Sequence, residues 1–177
     1  MGHSRGESRD THEQKPLHST PARAAPDAEH ERLQIFVGSW HMEGYQLEGP
    51  AGSAAAISAF QKYEWLPGGQ FLVHRFDGHV GGSQAACVEI IGVEERRGYR
   101  AHTFYDNGRM NVWDITHRDG EWRAMGDWNA GDRYLKVRCT TTFADDGQTM
   151  NSKWEHSQDG HAWQTFWEVS ARKVVEH

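Results

Sequence analysis

The sequence predicts an all-β chain: an antiparallel up-and-down β-barrel of about ten strands with a short N-terminal helix. Two observations carry this. From Gly38 onward, alternating or wholly apolar runs recur at short, regular spacing, and tight-turn residues separate them. No stretch after Gly38 has the helix periodicity needed for a crossover between parallel strands. A meander of that length, with no charged or proline-guarded edge, is best satisfied by closing on itself.

The elements follow in order. Residues 29–37 place Leu33, Phe36 and Val37 at helical spacing, so a short helix there can plug one barrel end. Strands are expected at 39–47, 56–66, 70–77, 84–93, 99–105, 110–118, 122–128, 134–143, 150–157 and 163–174. Between them lie turn signals such as Pro67-Gly68-Gly69, Asp77-Gly78, Gly81-Gly82, Asp106-Asn107-Gly108, Asn129-Ala130-Gly131 and Asp159-Gly160. Gly and Asn tolerate the positive φ that tight hairpins need.

Residues 1–30 are too polar and too rich in Pro and Ala to join a core, and read as a disordered tail. Residues 31–177, roughly 145 positions, suit one barrel domain that buries a core without staples. The net charge of -6, with Lys and Arg scattered, argues against nucleic acid and anionic membranes as partners. No apolar run approaches the roughly 18 residues that a spanning helix requires. Cys87 and Cys139 sit in apolar β-patterned runs outside any CxxC spacing, so they read as buried free thiols. With no signal peptide pattern, this points to a cytoplasmic protein.

No sequence motif names a chemistry. G-x-S-x-G and G-x-G-x-x-G before a helix are both missing, and the histidines do not fall into a zinc-site spacing, so no metal is expected. Polar residues inside apolar strands remain. Alternation puts His74 on one face with Leu72 and Phe76, Glu89 with Cys87 and Ile91, and His102 with Arg100 and Phe104. It puts Trp113 with Asn111 and Ile115, and His156 with Met150, Ser152 and Trp154. Interior His and Glu are costly unless paired, and often mark a site. The expected ligand-binding set is therefore His74, Glu89, His102, Trp113, Trp154 and His156. Taken singly, each of these residues also reads as an outer-face or satisfied core group, because alternation alone leaves the inward face open.

Phe36-Val37-Gly38-Ser39-Trp40 resembles the G-x-W element that opens the first strand of calycin-type, lipocalin-like barrels. Leu66-Pro67-Gly68-Gly69-Gln70-Phe71-Leu72-Val73, Ile90-Ile91-Gly92, the run from Ala101 to Gly108, the run from Trp154 to Gly160 and the terminal Arg172 extend the likeness. Together these elements resemble the DUF1579 family of small bacterial proteins, with a lipocalin-like barrel implied. In calycins an Arg of the last strand stacks on the G-x-W Trp, and the resemblance assigns that closure to Arg172 on Trp40. Nitrobindins, a distantly similar family, hold haem through a His on the last strand. Here 163–174 contains no His, which disfavours haem, and no cofactor is expected.

The function expected from these features is binding of a small, mainly apolar molecule inside the barrel, as carrier or sensor. A small isomerase, cyclase or hydratase using a buried His or Glu is the alternative, with haem binding behind it. A second copy of the chain is a candidate partner.

Overall fold

A computed structural model describes residues 27–94, 98–130 and 133–175. Most of the expected N-terminal tail lies outside these residues. Its last positions do not: Asp27 caps a helix α1 (Ala28–Leu33), its carboxylate accepting from the backbone N–H groups of Glu29 and His30. His30 is buried. A 3-10 turn (Gln34–Phe36) follows. Residues 28–30, expected at the end of the tail, are part of this helix, whose first-turn side chains bind one another and the barrel.

Ten antiparallel strands follow: β1 (Gly38–Gln46), β2 (Ala55–Trp65), β3 (Phe71–Val80), β4 (Ser83–Glu94) and β5 (Gly98–Tyr105). They continue with β6 (Met110–Arg118), β7 (Glu121–Ala130), β8 (Arg133–Phe143), β9 (Thr149–Ser157) and β10 (Gln164–Val174). Each pairs with its chain neighbours, and β1 pairs with β10 to close the barrel. Closure leaves no free edge. Asp77-Gly78 is not a turn; β3 runs through it and reverses at Gly81-Gly82. Gly78 faces the interior at a close approach, where a methyl group would lie 2.3 Å from Cβ of Ala59.

One end of the barrel is plugged. Leu33 is buried, and Phe36 meets Trp122 and Phe143 edge-on, each with centroids 5.0 Å apart. Three barrel side chains donate hydrogen bonds to the plug: Trp40 Nε1 to the Phe36 carbonyl (2.7 Å), Trp65 Nε1 to Gln34 (2.8 Å) and Tyr99 Oη to Glu29 (2.6 Å). Gly38, at φ 129°, turns the chain from plug into β1, a conformation that favours glycine.

Trp40 is fully buried, as the G-x-W resemblance implies. Its cationic partner is Lys173, with Nζ 5.1 Å from the ring centroid, and not Arg172. The reason is strand parity. In β10, Val169 and Ala171 face inward, so Arg172 points out and is exposed while Lys173 lies directly across from Trp40.

Candidate functional site

Between the plug and the opposite end the barrel encloses a cavity of about 410 Å³. Its entrance lies among the loops at the far ends of the strands, where Ala51, Asp106, Asn107 and Arg109 border it. Among the predicted residues, His74, Glu89, Trp113 and Trp154 all line it.

The polar part of the wall is assembled from β2 to β6. Register sets His74 of β3 directly across from both Tyr63 of β2 and Glu89 of β4, and Glu89 across from Thr103 of β5. The rings of Tyr63 and His74 stack at 4.1 Å with their planes 3° apart. His74 Nδ1 lies 3.5 Å from Glu89 Oε1. Its Nε2 lies 2.9 Å from Gln61 Oε1, which also accepts from Tyr63 Oη at 3.2 Å. On the other side Thr103 Oγ1 donates to Glu89 Oε2 at 2.6 Å, and Trp113 Nε1 donates to Thr103 Oγ1 at 3.0 Å. Both nitrogens of His74 therefore face oxygen atoms, Gln61 Oε1 on one side and Glu89 Oε1 on the other.

Burial works to raise the Glu89 carboxyl, but the hydrogen bond and charge of His74, with the Thr103 bond, outweigh it and hold the group below its ordinary value. Tyr63 is pushed well up by burial and by the Glu89 charge, and stays a neutral phenol. Burial pushes the thiols of Cys87 and Cys139 up to about 12, so neither is a thiolate at neutral pH.

The opposite wall is aromatic. Trp154 meets Trp113 edge-on at 5.6 Å and Trp167 at 6.3 Å. Phe166 stacks with Trp128 at 5.9 Å. A register shift in β10 between Thr165 and Trp167 lets both Phe166 and Trp167 reach the cavity. Gly126 of β7 makes room for Trp113: a methyl group there would lie 2.7 Å from the indole.

Two predicted residues are not brought to the cavity. His102 is exposed on the outer face, because Tyr99, Ala101 and Thr103 are the residues of β5 that turn inward. The large neighbours that suggested an inward face, Arg100 and Phe104, are outside with it. His156 is buried and on the inward parity of β9, but it stands behind Phe166 (5.8 Å), outside the lining. Its Nδ1 has no hydrogen-bond partner, and burial lowers its basicity. Sequence reasoning missed Gln61, Tyr63 and Thr103. Gln61 was detectable as the one polar residue in the inward row Ile57, Ala59, Gln61, Tyr63. Among the described residues no group of three or more His, Cys, Asp or Glu gathers to hold a metal ion. None of the described helices is long and apolar enough to cross a membrane.

A closed ten-strand barrel, plugged at one end and hollow behind the other, defines a lipocalin-like protein with an internal cavity. The model of the DUF1579 family, described as a protein of unknown function, matches residues 25–173, and the chain belongs to that family. The crystal structure of Rv2717c from M. tuberculosis is similar in fold, with a TM-score of 0.59 at 11% identity over 85% of this chain and 100% of that one. The S-type phycobiliprotein lyase CPES from Guillardia theta is similar at a TM-score of 0.53 and 11% identity, over 86% of this chain and 99% of that one. No curated protein matches the chain.

Proposed function

We propose that the barrel binds one small, mainly apolar and planar molecule in its cavity, as a carrier or sensor. The observation that carries this is the cavity itself: about 410 Å³ walled by aromatic rings around a single buried His74–Glu89 pair. Ligand pockets combine an apolar wall with a few placed polar groups, and cavities of this size suit small ring systems. A fold neighbour that is a phycobiliprotein lyase is consistent with ligand binding in a barrel of this shape. The His74–Glu89 pair also favours a second reading, in which the bound molecule is altered by proton transfer.

Titration with the neutral dye N-phenyl-1-naphthylamine tests the first reading. Saturable one-to-one binding is expected, with quenching of tryptophan emission through Trp113 and Trp154. Ala124→Phe, which fills the cavity from β7, should abolish binding while the circular dichroism of the barrel persists. Absence of saturable binding to the folded protein, or binding indifferent to Ala124→Phe, overturns the proposal. Chemical change in a small molecule retained through native purification and then incubated with fresh protein would instead select the second reading.

A further inference from the structure

The hydrogen-bond inventory around Glu89 is unbalanced. Trp113 Nε1–H is used on Thr103, and the Thr103 hydroxyl proton is used on Glu89 Oε2. Tyr63 spends its hydroxyl proton on Gln61 Oε1, and Gln61 Nε2 is turned to the Met42 sulfur. Both ring nitrogens of His74 are turned to acceptors, and its ring face is covered by Tyr63. Each donor group of this network thus already has a partner, Gln61 Nε2 through one of its two N–H groups. Acceptor capacity is left over: a carboxylate offers about four lone-pair sites, and Glu89 has one short bond on Oε2 and one long 3.5 Å contact on Oε1. A charge-assisted N–H···O bond is normally about 2.7–2.9 Å, so Oε1 is the under-satisfied atom. Glu89 belongs to the cavity wall.

The charges around it point the same way. Among the described lining residues the only Lys or Arg is Arg109, at the entrance beside Asp106 and away from Glu89. The aromatic rings opposite supply electron-rich faces, which attract cations and the positive edges of N–H groups.

Resting on the reading that the cavity binds a ligand, we propose that it selects planar aromatic molecules carrying an N–H donor, an amine above all. The donor seats on Oε1 of Glu89 and the ring lies among Trp113, Trp154 and Phe166. Carboxylates are disfavoured beside Glu89, because a second anion there would meet its charge where the neighbouring donors Thr103 and Trp113 are already engaged.

Three indoles of nearly equal ring size test this by displacement of bound N-phenyl-1-naphthylamine from the unaltered chain at pH 7. The amine tryptamine should displace the dye at the lowest concentration, neutral 3-methylindole next, and indole-3-acetate last, at about tenfold or more above tryptamine. Glu89→Gln should draw the amine and the carboxylate together, and the ordering on the unaltered chain stands as a test even where that variant folds poorly. Indole-3-acetate level with or ahead of 3-methylindole, or tryptamine behind it, overturns the selection while leaving ligand binding intact. Dye that binds but yields to none of the three also overturns it. Dye that never binds overturns both proposals together.

Discussion

The two ends of the barrel are built on opposite principles. At the plugged end large side chains fill the space: Trp40 and Tyr99 are essentially without solvent contact, and Phe36 sits among three aromatic rings. Polar tips there find partners on the plug itself, so ring burial and hydrogen bonding reinforce each other. Toward the other end the rings line a space without filling it, and polar groups bond around a cavity. The loop after β1 is held by Gln46, which donates to the Ser53 carbonyl and accepts from Trp167 Nε1, both at 2.8 Å. The turn before β10 is held by Asp159, whose carboxylate accepts from Ser157, His161 and Ala162. Packing density stabilises the first end. The second has given up packing for space, and polar bonds hold its rim.

The contrast predicts where substitutions hurt. The largest loss should come from Trp40→Ala, about 3–5 kcal/mol of unfolding free energy in a urea titration, because a buried aromatic is removed from a rigid end. A loss below about 1 kcal/mol would mean that the plugged end is not the stabilising one.

Acid should reach the open end first. The fold holds His156 neutral, and burial sets its value below the ordinary 6.5. The unfolded chain protonates near that ordinary value, so this contribution is present above pH 6.5 and lost as pH falls through the lowered folded value. Glu89 is held ionised below the ordinary 4.5, so its contribution is present above pH 4.5 and lost on further acidification. Thermal midpoints across pH 7 to 3 should therefore fall in two stages, and His156→Phe should flatten the first alone. A single step that His156→Phe leaves unchanged would remove His156 from this account.

Smaller effects separate the two candidate closures. Lys173→Ala should cost about 0.5–1 kcal/mol and be non-additive with Trp40→Ala in a double-mutant cycle. Arg172→Ala should stay within about 0.5 kcal/mol. Coupling of Trp40 to Arg172 instead would restore the closure that the resemblance implies. The smallest change is expected from His102→Ala, which lies outside the barrel and should leave both stability and dye binding within error.

Much of this molecule is legible in its sequence. Alternation and turn residues located all ten strands to within a few residues, and Leu33 with Phe36 marked the plug. Asp77-Gly78 misled because a turn-favouring pair also occurs where a strand interior leaves no room for a side chain. His74, Glu89, Trp113 and Trp154 were legible as polar or bulky residues in apolar company, and the cavity receives all four. His102 met the same test and failed, because outer faces also carry large apolar residues: Phe104 and Val112 are 44% and 46% exposed.

What the sequence by itself determined is the element order and the two faces of each strand, since both follow from local periodicity. Only the tertiary structure decided which face is inside and which residues meet across strands. Inwardness depends on how ten twisted strands close, and a shift of one residue exchanges the faces, as Arg172 and Lys173 show. The network from Trp113 through Thr103, Glu89 and His74 to Gln61 joins five strands. Its members are far apart in sequence, and only the register of neighbouring strands brings them within hydrogen-bonding distance.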